Sequence, residues 1–290
     1  MCDEDIHQSQ ETQGQEAKAG KVNRRTFAAL TAAATSLAGR AWAQATVVEK
    51  DVQVKTADGT ADAALFYPSG RGSWPAVLIW TDIGGLRPVF RDMGKRMAAQ
   101  GYVVLVPNPF YRTVKAADLA ATFDFNDPAT RTKLLSYRSG MTNDEGDAKA
   151  YMAFLDAQPQ TNRKKKAGVQ GYCMGGPLTF KTAATVPDRV AAVGSCHGGG
   201  LVTKTPTSPH LLIPKTNAAY ICAVAQNDDA SAPTDKDTLK AAFAEAKRPA
   251  TVEVYPANHG WCVKGSAVYN EAAAEKAWAA ISDLYKKQLV

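Results

Sequence analysis

The chain has 290 residues, a formal net charge of +6 and five cysteines. About 245 residues remain beyond position 45, a length that suits one large α/β domain rather than two. No cysteine stands in a Cys-x-x-Cys pair, which argues against zinc and thioredoxin-like motifs, and the one dense basic run, Arg163-Lys164-Lys165-Lys166, lacks the interleaved aromatics expected of a nucleic-acid surface.

The first informative segment is N-terminal. Asn23-Arg24-Arg25-Thr26-Phe27 precedes an Ala-rich stretch from Ala28 to Ala38, then Arg40-Ala41-Trp42-Ala43-Gln44-Ala45. Residues 1–45 therefore read as a twin-arginine export signal with a small-residue cleavage site after Ala43 or Ala45, followed by a single domain over 46–290. The apolar stretch is too short and weak for a stable membrane anchor. The expected partner of the precursor is the twin-arginine machinery and the expected location of the mature protein is the periplasm. The segment carries as many acidic as basic side chains, so its removal leaves +6.

Val47 to Lys55 and Ala61 to Tyr67 alternate as strands and, joined by Ala57-Asp58-Gly59-Thr60, predict an opening hairpin. Pro75 to Ile79 reads as a buried strand running into Trp80-Thr81-Asp82-Ile83-Gly84-Gly85. A helix follows from Pro88 to Gln100, stopped by Gly101, and then a strand from Tyr102 to Val106. Arg112 to Asn143 has no strand pattern and predicts a helical excursion over the pocket, and Ala148 to Leu155 predicts a helix. Repeated strand–helix alternation of this kind argues for a mostly parallel sheet covered on both faces.

The run Gly171-Tyr172-Cys173-Met174-Gly175-Gly176 carries the chemistry. Lys166 to Gln170 can form a short buried strand and Pro177 to Lys181 can open a helix, so Cys173 sits in the strand–turn–helix context of a nucleophile elbow, with Cys where Ser is commoner. Glycines on either side let the turn close, and the helix's positive end favours a thiolate. A Cys nucleophile needs a base, and the base needs an acid to orient it. The strand Ala218 to Ala225 runs into Gln226-Asn227-Asp228-Asp229. Thr234 to Lys247 has helical periodicity, and the loop after the strand Thr251 to Tyr255 carries His259. Nucleophile, acid and base thus emerge in the required chain order on one edge of the sheet. Asp228 is favoured as the acid for its place near the strand end, with Asp229 the alternative. His197, in Ser195-Cys196-His197-Gly198-Gly199-Gly200, reads as pocket lining or structure, and His210 as structural.

Gly-Tyr-Cys-Met-Gly-Gly followed much later by Tyr255-Pro256-Ala257-Asn258-His259-Gly260-Trp261 resembles the dienelactone hydrolase (carboxymethylenebutenolidase) family of the α/β-hydrolase superfamily. The resemblance runs from the first strand after residue 46 to the last helix. It implies the α/β-hydrolase fold and a carboxylic ester hydrolase that works through a Cys173-His259-Asp228 triad and an acyl-enzyme. The substrate would be an ester or a dienelactone-type lactone, possibly anionic given the basic charge. The backbone N–H groups of Ile83 and Met174 would form the oxyanion hole. Neither a metal nor an organic cofactor is implied. The family usually carries Glu, in contact with the resting Cys, where this chain has Asp82, and a shorter acid there puts that contact in question. Tyr111, Arg112, Trp80 and Trp261 fall near the pocket edge by position and are candidates for substrate contact. The alternatives are a thioesterase or general carboxylesterase with the same triad, or a non-catalytic periplasmic binding protein on the same fold. Of the thiols, Cys222 is expected to be buried in mid-strand, with Cys196 and Cys262 near strand ends at the edge of Cys173. In an oxidising compartment either Cys173 is sheltered or one of these pairs with a partner.

Overall fold

A computed structural model describes residues 46–290, and the export-signal reading of residues 1–45 lies outside them. The described chain is built on one eight-stranded sheet. Strands β1 (Val47–Thr56) and β2 (Gly59–Pro68) form the expected antiparallel hairpin. β3 (Ala76–Trp80) leads to helix α1 (Pro88–Ala98) and β4 (Val103–Pro107). The excursion then supplies α2 (Ala116–Thr122) and α3 (Pro128–Ser139) before α4 (Asp144–Asp156). β5 (Ala167–Tyr172), α5 (Gly175–Thr185) and β6 (Val190–Cys196) carry the nucleophile region. A 3-10 turn (Pro209–Lys215) precedes β7 (Ala219–Ala225), α6 (Gln226–Ser231), α7 (Asp235–Glu245), β8 (Ala250–Tyr255) and α8 (Glu271–Gln288).

Strand order is β1-β2-β4-β3-β5-β6-β7-β8, antiparallel as far as β4 and parallel from β4 to β8. The central parallel strands β3, β4 and β5 have every residue buried because helices cover both faces, which is why their sequences do not alternate between apolar and charged residues, whereas the edge strand β8 buries only Tyr255. Successive residues still part to opposite layers. Ala76, Leu78 and Trp80 pack with α4, α5 and α7, whereas Val77 and Ile79 pack with Phe90 and Met97 of α1 and with Trp278, Ile281 and Tyr285 of α8.

Most element boundaries differ from the sequence expectation by a residue or two. Two differences matter. α4 begins four residues before Ala148 because the Asn143 side chain caps it, Oδ1 accepting the Gly146 N–H at 3.1 Å. Gln226 to Asp229, expected as loop, winds into the short helix α6 directly after β7. No helix among the described residues is long and apolar enough to cross a membrane.

The register fixes where the site lies. Tyr172 pairs with Cys196, Cys196 with Ala223 and Ala225 with Tyr255, so the chain leaves β5, β6, β7 and β8 along one carboxyl-terminal edge. Such an edge is where open α/β sheets bind ligands. Arg163 to Lys166 lie just before β5 at the opposite end.

Candidate active site

Cys173 follows the last residue of β5 and adopts φ 54°, left-handed backbone that a non-glycine residue takes only when its surroundings impose it. The neighbouring glycines make this turn possible. A Cβ on Gly175 would lie 2.6 Å from the Thr81 carbonyl oxygen and 2.7 Å from that of Trp80, and a Cβ on Gly171 would overlap the Gly175 carbonyl. The same contacts show how closely the turn after β3 rides against the elbow. They bring the Ile83 and Met174 amides onto adjoining backbone segments, and neither amide is used in a backbone hydrogen bond among the described residues. Helix α5, opening two residues after Cys173 and two before Pro177, directs its positive end toward the thiol.

The acid and histidine segments are laced together. The Gln226 N–H donates to the Ala257 carbonyl at 3.0 Å, and the His259 N–H donates to Asn227 Oδ1 at 2.7 Å. This seats His259 Nδ1 2.6 Å from Asp228 Oδ2. Asp229 turns away to an ion pair with Lys236 at 2.7 Å. Burial of the His259 ring disfavours its charge, but the bond to Asp228 and the adjacent Cys173 side chain more than offset this and raise its pKa to about 10. At neutral pH the ring therefore holds a proton beside the sulfur.

Asp82 is committed elsewhere. Its carboxylate receives Arg87 Nη1 at 2.5 Å and Nη2 at 2.8 Å, and accepts the Gly84 N–H at 2.8 Å. The Arg87 guanidinium in turn lies over the rings of Phe90 (5.1 Å) and Phe123 (4.5 Å). The acid at the family's Glu position thus braces the turn that carries Ile83.

The four residues expected near the pocket edge are differently placed. Trp80 is buried, its Nε1–H donating to Thr182 Oγ1 at 2.9 Å. Trp261 is buried and stacked on Tyr255, with centroids 5.4 Å apart. Tyr111 and Arg112 both bind Asp147, and Arg112 also binds Asp58, in a network on the hairpin side of the sheet. Trp261 keeps a place beside the site, its ring 4.9 Å from that of His197, and position near a strand end does not by itself say which face a side chain takes.

His197 lies beside the site, in keeping with a residue that lines or supports it. It is wholly buried, has φ 39°, and its ring lies 5.0 Å from that of His259 and 4.9 Å from that of Trp261. His210 hydrogen-bonds Ser208 Oγ at 2.7 Å. All four described cysteines are free thiols. Burial pushes the thiols of Cys222 and Cys262 upward. Cys196 and Cys262 line a cavity of about 390 Å³ together with Tyr172, Met93 and Trp278, on the α1–α8 face behind the elbow. No group of three or more His, Cys, Asp or Glu side chains among the described residues could hold a metal ion.

Known proteins resemble this chain over most of the described residues. The model of the dienelactone hydrolase family matches residues 61–289. A carboxymethylenebutenolidase of Rhodococcus opacus is 26% identical over 231 residues, covering 78% of this chain and 86% of the relative. A dienelactone hydrolase-like promiscuous phosphotriesterase from metagenomic libraries superposes with a TM-score of 0.69 at 17% identity, covering 84% of this chain and 99% of the other. A dienelactone hydrolase from Anabaena variabilis gives 0.53 at 17% identity, with 84% and 99% covered. These structural likenesses show the α/β-hydrolase fold, and the family match over most of the described domain shows the rest: the chain belongs to the dienelactone hydrolase family and is an ester or lactone hydrolase.

Proposed function

We propose that the protein cleaves a dienelactone-type lactone or an activated ester through an acyl-enzyme on Cys173, with His259 as acid and base and Asp228 orienting it. The observation that carries this reading is the 2.6 Å bond between Asp228 and His259 Nδ1, in a ring whose pKa the Cys173 side chain also helps to raise. A ring protonated at neutral pH beside the sulfur favours a thiolate–imidazolium pair, the activated form of a Cys nucleophile.

In the first half-reaction Sγ attacks the carbonyl carbon and the electron pair moves onto its oxygen, stabilised by the Ile83 and Met174 N–H groups. Collapse forms the thioester and breaks the carbon–oxygen bond to the leaving alcohol or enol, which takes the proton from His259. In the second, water attacks the thioester, His259 takes its proton, and the released acid leaves Cys173 paired again with the imidazolium. Thiolate expulsion favours return to substrate when the leaving oxygen is a poor one, so an enol lactone suits this site better than an amide. Asp82 has no part in these steps, both its oxygens being held by Arg87.

Stopped-flow hydrolysis of an activated aryl ester tests the proposal. A burst equal to the enzyme concentration and an acyl mass adduct on Cys173, both absent in C173A, are expected. Turnover without either, or turnover that survives C173A, overturns it. Comparing enol lactones, simple esters and thioesters then ranks the substrate class, and a preference for carboxylated substrates would bear out the anionic one inferred from the +6 charge.

We further infer from Arg24-Arg25 and the small residues at Ala43 and Ala45 that the precursor is exported, already folded, to the periplasm by the twin-arginine machinery. R24K/R25K should retain the precursor inside the cell in fractionation. Unchanged export would refute this.

A further inference from the structure

Among the described residues only three non-glycine residues have left-handed backbone, Cys173 (φ 54°), His197 (φ 39°) and Lys247 (φ 54°). Two of the three are bonded to each other. The Cys173 N–H donates to His197 Nδ1 at 3.1 Å and is shared with the Cys196 carbonyl, also at 3.1 Å. The Cys173 carbonyl accepts the Gly199 N–H at 3.3 Å, from the same loop. His197 is itself fixed through its own N–H, which donates to the Ala223 carbonyl of β7 at 2.8 Å. The loop also sits hard against the helix start, since a Cβ on Gly176 would lie 2.5 Å from Gly198 Cα and 2.7 Å from Ser195 Oγ.

We propose that His197 is a positioning residue for the nucleophile: its Nδ1 takes the Cys173 N–H while Gly199 holds the Cys173 carbonyl, and this clamp maintains the strained elbow that aims the sulfur at His259. The inference rests on the thiol chemistry proposed above.

An imidazole that accepts at Nδ1 carries its proton on Nε2. In His197 that Nε2 is buried with no hydrogen-bond partner, and the ring packs edge-on against Trp261 (72° between planes), an arrangement in which an aromatic neighbour tolerates a ring N–H. Protonation of Nδ1 would set two donors against each other and open the clamp. Burial and the neighbouring His259 hold the His197 pKa down to about 3, so the acceptor persists through the neutral range. The titratable side chains around the ring are His259, Tyr172 and the chain neighbours Cys173 and Cys196. Of the two facing imidazoles only His259 can take the proton, so the charge beside the sulfur has one address.

The clamp also accounts for the residue type. A leucine has the shape of asparagine without its acceptor, while asparagine tolerates left-handed backbone and places Oδ1 near where Nδ1 stands. The test is the rate of Cys173 alkylation by iodoacetamide across pH 5–9 in the full protein, with C173S as the blank, alongside burst rate constants with an aryl ester. H197N should remain within about threefold of wild type. H197L, which leaves the Cys173 N–H only the Cys196 carbonyl, should react about fivefold or more slowly at pH 7, the scale of one hydrogen bond lost, with its profile displaced to higher pH and little change in KM. Should H197L fail to fold, H197Q takes its place, because its amide reaches toward Nε2 and cannot receive the Cys173 N–H; it should behave as described for H197L. Equal behaviour of H197N and the acceptor-less variant overturns the inference while leaving the proposed mechanism standing. A wild-type profile with no reactivity below the ordinary thiol range overturns both.

Discussion

Asparagine at position 228 keeps the shape of the side chain on His259 and removes its charge. The bond it replaces is 2.6 Å long, and the two side chains retain 31% and 28% exposure. A hydrogen bond to a charged group contributes about 1.5–3 kcal/mol, or roughly 10- to 150-fold in rate if it is felt in the transition state. Solvent screening at a site this open places the expected loss in kcat/KM for D228N in the lower part of that range, roughly 10- to 50-fold. The variant also removes a principal cause that raises His259 to about 10, while the opposing effect of burial stays, so the imidazole should titrate lower. Activity should then fall away at a lower pH on the alkaline side than in wild type. The assay is the pH dependence of aryl-ester hydrolysis and of Cys173 alkylation, run beside D229N. Because Asp229 is bound to Lys236 and not to the histidine, D229N should stay within about twofold, the effect of a partly exposed ion pair. A D229N enzyme as impaired as D228N, or a fully active D228N, would refute the assignment of the acid.

Other substitutions probe the frame of the site. G175A should destabilise by about 3 kcal/mol or more, or prevent folding, because its methyl meets two backbone carbonyls at 2.6 and 2.7 Å; G199A, with nothing within 4 Å, should shift the thermal midpoint hardly at all, and equal midpoints would contradict the close approach. D82A should cost about 2–3 kcal/mol in urea unfolding by leaving the largely buried Arg87 unpaired, yet spare Cys173 alkylation at neutral pH; a large change in thiol reactivity would mean that Asp82 does reach the sulfur. The folded-state pKa of His259 lies above its ordinary 6.5, so its stabilising contribution is complete below pH 6.5 and is lost as pH rises toward about 10. Wild type should therefore lose more stability between pH 7 and 10 than H259Q does, and parallel curves would deny the shift.

The edge chemistry was legible because it is written in short-range terms. Glycines at 171 and 175 around Cys173 have one use at a strand–helix junction, and the order of Cys173, the Asp228–Asp229 pair and His259 follows the sheet. Asp228 is favoured over Asp229 in sequence only by lying one position nearer the strand end. What separates them is the Asn227 side chain reaching the His259 amide from 32 residues away, a tertiary contact with no periodicity to announce it. His197 was obscured for the same reason. Its motif is a His-Gly-Gly run whose meaning depends on packing against the strand next to it, across 24 residues of sequence. Asp82 was compared with the family's Glu, whereas its partner is Arg87, five residues on, brought back by the turn at Gly84 and Gly85. Helical α6 was missed because Gln226-Asn227-Asp228-Asp229 consists of turn-forming residues, which the adjacent segment nonetheless gathers into one short coil.

The guanidinium of Arg87 touches two parts of the chain that otherwise have little in common. One end grips the loop bearing the Ile83 amide, and the flat face rests on Phe123, at the carboxyl end of α2. The segment between β4 and β5 is therefore geared to the turn after β3 through one cationic cog. A substitution at Phe123 would therefore be felt at the turn after β3, across the gap between two segments far apart in sequence.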